Sequence, residues 1–226
     1  MTKSHLLSGN ALKLIAAAAM VVDHAGLMFF PGNLLPRILG RLAYPIFAFM
    51  IAEGSKYTRS RKKYFLQLFL LAVVCQIVYF FVDGSLYLSI LFTFSLSQLL
   101  IFALQALKAS PSWKTGVLFA GAVTVVYLLN RVFTIDYGFW GSMVPLFAAL
   151  PHGTRFDNKY TGTAFLGVGL VLLSVSLGGW QIWSLAALPL LLLYSGKRGK
   201  WRMKYFFYVF YPTHLALLQL IAWWIM

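Results

Sequence analysis

ALKLIAAAAMVVDHAGLMFF (11–30) decides how this chain is read. Only Lys13 interrupts its apolar character before Asp23-His24. The run matches the ~20 residues that a helix needs to cross a hydrocarbon core. An Asp at the centre of such a helix costs at least ~2.5 kcal/mol on insertion scales. The chain has 5 acidic residues and 4 histidines, and this run holds one of each, side by side. Ionisable groups at membrane depth mark functional sites that face the protein interior, although a polar pair can also serve only to hold helices together. The small residues Ala16 to Ala19 let a neighbouring helix approach closely, which puts this helix inside a bundle.

The rest of the chain has the same character. Of 226 residues, 61% are hydrophobic, and the mean hydropathy is +0.79, against the ~45–50% apolar content of soluble domains. The expected fold is all-α: a polytopic transmembrane helix bundle forming a single membrane domain over 1–226, with about nine spans (eight to ten). The apolar runs are Ala11–Phe30, Leu42–Ala52, Tyr64–Val82, Leu86–Leu107, Gly116–Leu129, Gly138–Leu150, Thr161–Leu177, Trp180–Tyr194 and Tyr205–Met226. The second, fifth and sixth are short for a span. The first run is long and no A-x-A-like site follows it, so it reads as a retained span and not as a cleavable signal.

The net charge of +14 follows from topology, not from nucleic-acid binding. With a cytoplasmic N-terminus and alternating spans, 16 of the 19 cations fall in inner segments: Lys3, Lys13, Lys56, Arg59, Arg61, Lys62, Lys63, Lys108, Lys114, Arg155, Lys159, Lys197, Arg198, Lys200, Arg202 and Lys204. Arg37, Arg41 and Arg131 alone fall outside. This asymmetry predicts N-in and C-out orientation. Trp180, Trp183, Trp201, Trp223 and Trp224 near span ends fit interfacial anchors. The lone Cys75 permits no internal disulfide and reads as an apolar filler.

Adjacent helical residues point ~100° apart, so Asp23 and His24 do not face each other. Arg37 or Arg41, near the same end, is the natural partner of Asp23, and an Arg keeps a carboxylate ionised. His24 is then available as a base, with an unperturbed pKa of ~6.5. Glu53, the single glutamate, either joins the functional cavity or pairs with Lys56 or Arg59. His214 follows Pro212 in the last span; it either bonds across helices or shares a polar cavity with His24. Asp136-Tyr137-Gly138 opens the sixth span, where Asp136 suits a helix cap. Gln76 is a further polar intruder, whereas His5 and His152 lie in loops. No metal-ligand spacing, P-loop or G-x-S-x-G motif is present. The expected partner at this level is membrane lipid, with no nucleic acid and no metal. The basic stretches 56–63 and 196–204 suit anionic lipid or a phosphorylated cytosolic ligand. Intramembrane Asp, His and Arg would equally serve a small proton-coupled transporter or flippase.

Specific stretches carry a family resemblance: LKLIAAAAMVVDHAGLMFFP (12–31), GRLAYPIFAFMIAEGSKYTRSRKKY (40–64), CQI (75–77), LFT (91–93), DYGFWG (136–141), ALPLLLLYSGKRG (187–199) and FYPTHL (210–215). In these stretches, and in their order, the chain resembles the TraX family of integral membrane proteins, named for the F-pilin acetylation protein. It departs from the family pattern in having Val after CQI and Thr in YPTHL. The family is also loosely similar to transmembrane acyltransferases such as the acyltransferase 3 family. The resemblance implies an O- or N-acetyltransferase that uses acetyl-CoA or another acyl-CoA as cosubstrate, in a bacterial inner membrane. It implies His24 as base, with Asp23 and Arg41 beside it. Glu53, Gln76, Asp136, Tyr137, His214 and Arg37 would support a polar cavity. Arg59, Arg61, Lys62, Lys63, Lys197 and Arg198 would meet the coenzyme phosphates.

Overall fold

A computed structural model describes residues 7–200 and 203–225. Lys3, His5, Trp201, Arg202 and Met226, named above, lie outside the described residues. The fold is an all-α helical bundle, with no strands among the described residues beyond two isolated bridges, Leu7–Tyr194 and Leu88–Ile135. The chain forms two compact units, one from residues 1–47 with 178–226 and the other from residues 48–177.

The first unit is built on α1 (Gly9–Phe29), α2 (Leu34–Gly40) and the start of α3 (Ala43–Tyr57). The chain returns to this unit as a 3-10 segment (Gly179–Ala187), α9 (Leu188–Leu192) and α10 (Lys204–Ile225). Ser8 caps α1, its hydroxyl accepting from the Ala11 amide at 3.2 Å, which satisfies one of the unpaired donors of the first turn. Asn33 caps α2 in the same way, through the Leu35 amide. Leu12, Ala16, Ala19 and Met20 are buried along α1. Ala19 and Met20 pack with Ala43, and Leu42, Phe210 and Tyr211 close this small core.

Two glycines set the α1–α2 spacing. A Cβ on Gly26 would lie 2.3 Å from Pro36 Cβ, and a Cβ on Gly40 would lie 2.3 Å from Asp23 Cβ. The backbones therefore approach more closely than any side chain at those positions would permit.

The second unit holds the rest of α3 with α4 (Arg61–Asp83), α5 (Ile90–Ala109), α6 (Trp113–Val132), α7 (Gly138–Ala149) and α8 (Lys159–Leu177). α5 is its centre, with Thr93, Phe94, Ser97, Gln98, Leu100 and Ile101 among its buried residues. The hydroxyls of Ser95 and Ser97 bond carbonyls one turn back, which satisfies them inside an apolar interior. Ser97 also donates to the Ser142 carbonyl and so ties α5 to α7. α6 starts on a capping box of Ser112 and Thr115, while Val117, Leu118, Val125 and Leu128 along it are exposed. Exposed aliphatic side chains at this density on a long helix suit lipid, not water.

Six segments among the described residues have the length and apolarity to cross a membrane: Gly9–Phe29, Leu34–Tyr57, Arg61–Phe81, Ile90–Ala109, Trp113–Val132 and Lys159–Leu177. Of the nine expected runs, the sixth, eighth and ninth fall outside these six. The short second run extends back through α2, and the short fifth run extends at both ends to 20 residues. The sixth run is a 12-residue helix containing Pro145, about 18 Å at 1.5 Å per residue, and it carries the chain from the Leu88 end of α5 to the Lys108 end. The eighth run becomes the 3-10 segment and the five-residue α9, with Gln181 and Ser184 buried. The ninth run is α10, with 22 residues and Pro212 inside it.

Candidate functional site

In the first unit, Asp23 and His24 lie on α1 and diverge around it as a helix requires. Asp23 turns toward α2, where its Oδ1 accepts from Arg37 Nη1 at 2.9 Å. The pair is partly buried, with side-chain exposures of 32% for Arg37 and 18% for Asp23. Arg41 lies close enough to interact with Asp23 electrostatically, yet its Nη1 donates to Gln181 Oε1 at 3.1 Å. Of the two arginines that the sequence offered to Asp23, Arg37 makes the bond. Arg41 is held by a neutral amide and keeps a guanidinium charge that no carboxylate among the described residues hydrogen-bonds.

His24 turns the other way, toward α10. Its Nδ1 lies 3.1 Å from His214 Nε2, and the two rings stack with centroids 5.2 Å apart. His214 is buried and lies flat on the Phe210 ring, with centroids 4.8 Å apart and an interplanar angle of 5°. Its Nδ1 lies 2.9 Å from the Phe210 carbonyl oxygen.

These contacts assign the tautomers of a neutral pair. A carbonyl oxygen only accepts, so His214 Nδ1 carries the proton and donates to it. His214 Nε2 then has a lone pair and accepts from His24 Nδ1–H. The remaining lone pair is on His24 Nε2. The arrangement orients one imidazole through another and leaves the first with a basic nitrogen, which is the geometry of a general base held by a second group.

Lys197 and Arg198 also belong to this unit. Their carbonyls accept from the Gly9 and Asn10 amides at 2.8 and 2.9 Å. The loop they occupy is thereby tied to the start of α1, and both side chains are exposed.

The second unit contains the other expected residues, in two groups. Lys56 Nζ donates to Asp157 Oδ1 at 2.6 Å, not to Glu53. Glu53 is half-buried and has no hydrogen bond among the described residues. The Gly153 amide donates to Asp157 Oδ2 at 2.9 Å. Lys108 donates to the carbonyls of Leu150 and His152, so the 150–158 loop is fastened from α3 and α5. Burial opposes ionisation of Asp157, but the Lys56 and Gly153 hydrogen bonds and the nearby charges of Lys56 and His152 outweigh it and hold the carboxyl below its usual range. Burial pushes the His152 imidazole down to about 4, with help from Lys56 and Lys108 and against the pull of Asp157. Arg59, Arg61, Lys62 and Lys63 are exposed, and the Arg61 guanidinium lies over the Phe102 ring.

Gln76, Asp136 and Tyr137 form the second group. Gln76 Nε2 donates to the Ser85 carbonyl at 2.9 Å. Tyr87 Oη donates to Asp136 Oδ1 at 2.8 Å, and burial with the Asp136 charge and hydrogen bond raises the Tyr87 phenol well above its usual range. Asp136 is not at the N-cap position of α7. Tyr137 occupies the N-cap position at φ 60° and makes no side-chain cap bond. The Asp136 backbone joins the 85–88 segment through Leu88 instead, which aims its carboxylate at Tyr87.

Sequence reasoning missed Gln181, Asp157 and the Phe210 carbonyl. Gln181 had a readable signal, an amide within an apolar run like that of Gln76. The other two are defined only by where helices meet.

Fold and site together define a multi-pass membrane protein with several apolar helices and a hydrogen-bonded polar cluster between the helices of its first unit. Residues 8–222 match the TraX family, described as TraX protein, and the chain belongs to that family. It is 29% identical to a probable fimbrial assembly protein, FimC of serogroup H1, from Dichelobacter nodosus, over 96% of this chain and 97% of that one. A shorter match of 40 residues, 45% identical, covers 18% of this chain and 16% of an uncharacterized protein of Rickettsia prowazekii (strain Madrid E). No solved structure matches.

Proposed function

We propose that the protein is a membrane-embedded O- or N-acyltransferase. It moves an acetyl or other acyl group from cytosolic acyl-CoA to an acceptor at the membrane or its outer face. The observation that carries this reading is the chain of bonds from His24 through His214 to the Phe210 carbonyl, which leaves His24 Nε2 with a lone pair. The family's link to pilin acetylation and the fimbrial-assembly name of the Dichelobacter relative support acyl transfer at a cell surface.

In the reaction, the acceptor N–H or O–H gives its proton to His24 Nε2 as its heteroatom bonds the thioester carbonyl carbon. The C–S bond then breaks, and the imidazolium returns the proton to the departing sulfur, so that CoA leaves as the thiol. His214 is a positioning residue. Arg41 stabilises the negative charge that develops on the carbonyl oxygen, the role usual for preorganised cationic donors. Asp23 and Arg37 hold the α1–α2 joint in place. The coenzyme phosphates are met from the cytoplasmic side by one basic stretch, either Arg59, Arg61, Lys62 and Lys63 of the second unit or Lys197 and Arg198 of the first. The chain lies in a bacterial inner membrane with its N-terminus inside and its C-terminus outside, the orientation favoured by the 16 inner cations.

The test is CoA release from acetyl-CoA by purified protein in nanodiscs, comparing wild type with His24→Ala. Slow release by wild type that is lost in the variant, with CoA binding retained, supports the reading. No release and no CoA binding by folded wild-type protein removes it.

A further inference from the structure

An open cavity of about 460 Å³ lies between α1 and α10, lined by Met28, Gln219, Ala222 and Trp223. Its volume falls in the ~300–1,000 Å³ range of ligand pockets. Met28 lies four residues beyond His24 on α1, one turn onward and on the same side of that helix. Gln219 lies five residues beyond His214 on α10, an axial advance of about 7.5 Å. The lining therefore lies beyond His24 and His214 toward the C-terminal ends of both helices, with Met28 one turn from His24.

The lining contains no charge. Gln219 is half-buried and has no hydrogen-bond partner among the described residues. The Gln219 side chain lines the cavity, and in an apolar surround an amide gains from a hydrogen-bonding ligand group. A mostly apolar wall with one convergent polar group is the usual composition of a small-molecule site.

We propose that this cavity is the acceptor subsite. It takes a neutral amphiphile with a compact apolar body against Met28, Ala222 and Trp223, a hydrogen-bonding group at the Gln219 amide, and a nucleophilic hydroxyl or unprotonated amine at the His24 end. The proposal rests on the acyltransferase reading for its chemistry, and its occupancy is measured without that reading.

The probe is octanol carrying a photoreactive diazirine, applied to purified protein in nanodiscs, with labelled residues mapped by mass spectrometry. Labelling is expected on α1 and α10 at Met28 and Trp223, displaced by plain octanol. Ala222→Trp, which fills the cavity, should reduce it at least fivefold. Gln219→Leu keeps the volume and removes one hydrogen bond of ~1 kcal/mol, a loss of about five-fold in apparent affinity. Gln219→Leu also serves if Ala222→Trp does not fold. Labelling spread over the lipid-facing helices and unchanged in both variants overturns the proposal, as does displacement of the probe by added phospholipid and not by octanol. If wild-type CoA release depends on His24 but labelling avoids the cavity, the acceptor subsite is wrong and the acyltransferase reading stands. If labelling marks the cavity but no variant or wild-type protein releases CoA, the pocket stands as a ligand site and the acyltransferase reading is wrong.

Discussion

Gly40→Ala is the sharpest test of how the site is assembled. The added methyl would lie 2.3 Å from Asp23 Cβ, 2.4 Å from Cγ and 2.5 Å from Oδ1. Ordinary contact begins near 3.4 Å, so α1 and α2 must separate by about 1.1 Å at this point. Rotation of the Asp23 side chain cannot relieve the clash, because its Cβ is fixed by the backbone. The separation also strains the 2.9 Å bond from Arg37 to Asp23. Overpacking of this kind costs ~1–3 kcal/mol, and loosening a partly buried ion pair adds a contribution of the same sign, less than the ~3–5 kcal/mol of breaking a fully buried one. A total of about 3 kcal/mol corresponds to a fall of roughly 6–12 °C in Tm at ~2–4 °C per kcal/mol for chains of this length. Thermal unfolding of purified protein in nanodiscs measures it. Gly121→Ala is the control, since nothing lies within 4 Å of its built Cβ and exposed helical Gly→Ala is stabilising by up to ~1 kcal/mol. Equal Tm values for Gly40→Ala and wild type would refute the close approach of α1 to α2, and with it the placement of Asp23.

Three further outcomes are expected. His214→Ala should lower the kcat for CoA release by up to ~10²-fold, the scale of a base displaced by about 1 Å, with KM for acetyl-CoA nearly unchanged; a change in KM alone would contradict a positioning role. Gln181→Leu removes the bond to Arg41 and should destabilise the first unit by ~1–3 kcal/mol, read as a lower Tm that Gln181→Glu partly restores. The 150–158 loop should loosen in acid. Folded His152 titrates near 4, below its unfolded value of ~6.5, so stability falls as pH drops from about 6.5 to 4. The Asp157 carboxyl is held low, so its contribution persists there and is lost only as pH falls further, through its folded value. Hydrogen-exchange protection at Gly153, corrected for the intrinsic pH dependence of exchange, should decline from pH 7 to pH 4 with His152 and fall further below pH 4 with Asp157, and a flat profile would count against it.

The parts of the structure legible in the sequence were those written into contiguous residues. α1 follows from a largely apolar run of twenty residues, and the divergence of Asp23 from His24 follows from helical geometry alone. That Asp23 would meet an arginine in 37–41 was also readable, because a short turn at Pro31-Gly32 brings α2 back onto α1. The division of spans was less legible. Hydropathy marks Gly138–Leu150 and Trp180–Tyr194 as apolar but does not distinguish a spanning helix from a short one or a 3-10 segment buried in protein. The partners of Lys56 and Arg41 were illegible because Asp157 and Gln181 lie 101 and 140 residues away. In a chain with 19 cations, the nearest acid in sequence is a poor guide to the nearest in space.

The scarcity of carboxylates bears on which group does chemistry. Among the described acidic side chains other than Glu53, Asp23 is bound to Arg37, Asp136 to Tyr87, and Asp157 to Lys56 and the Gly153 amide. Each fastens one segment to another and has part of its lone-pair capacity engaged. An acid held this way is a poor proton acceptor, since protonating it costs the bond that the fold depends on. His24 differs. Its Nδ1–H bond to His214 orients the ring and leaves the second nitrogen unengaged, so taking up a proton at Nε2 breaks no bond in the network. A fixed orientation with one free lone pair is what a base needs. In the first unit that condition is met by His24 and not by Asp23, even though the two are neighbours in sequence and both carry the chemistry expected of an intramembrane site.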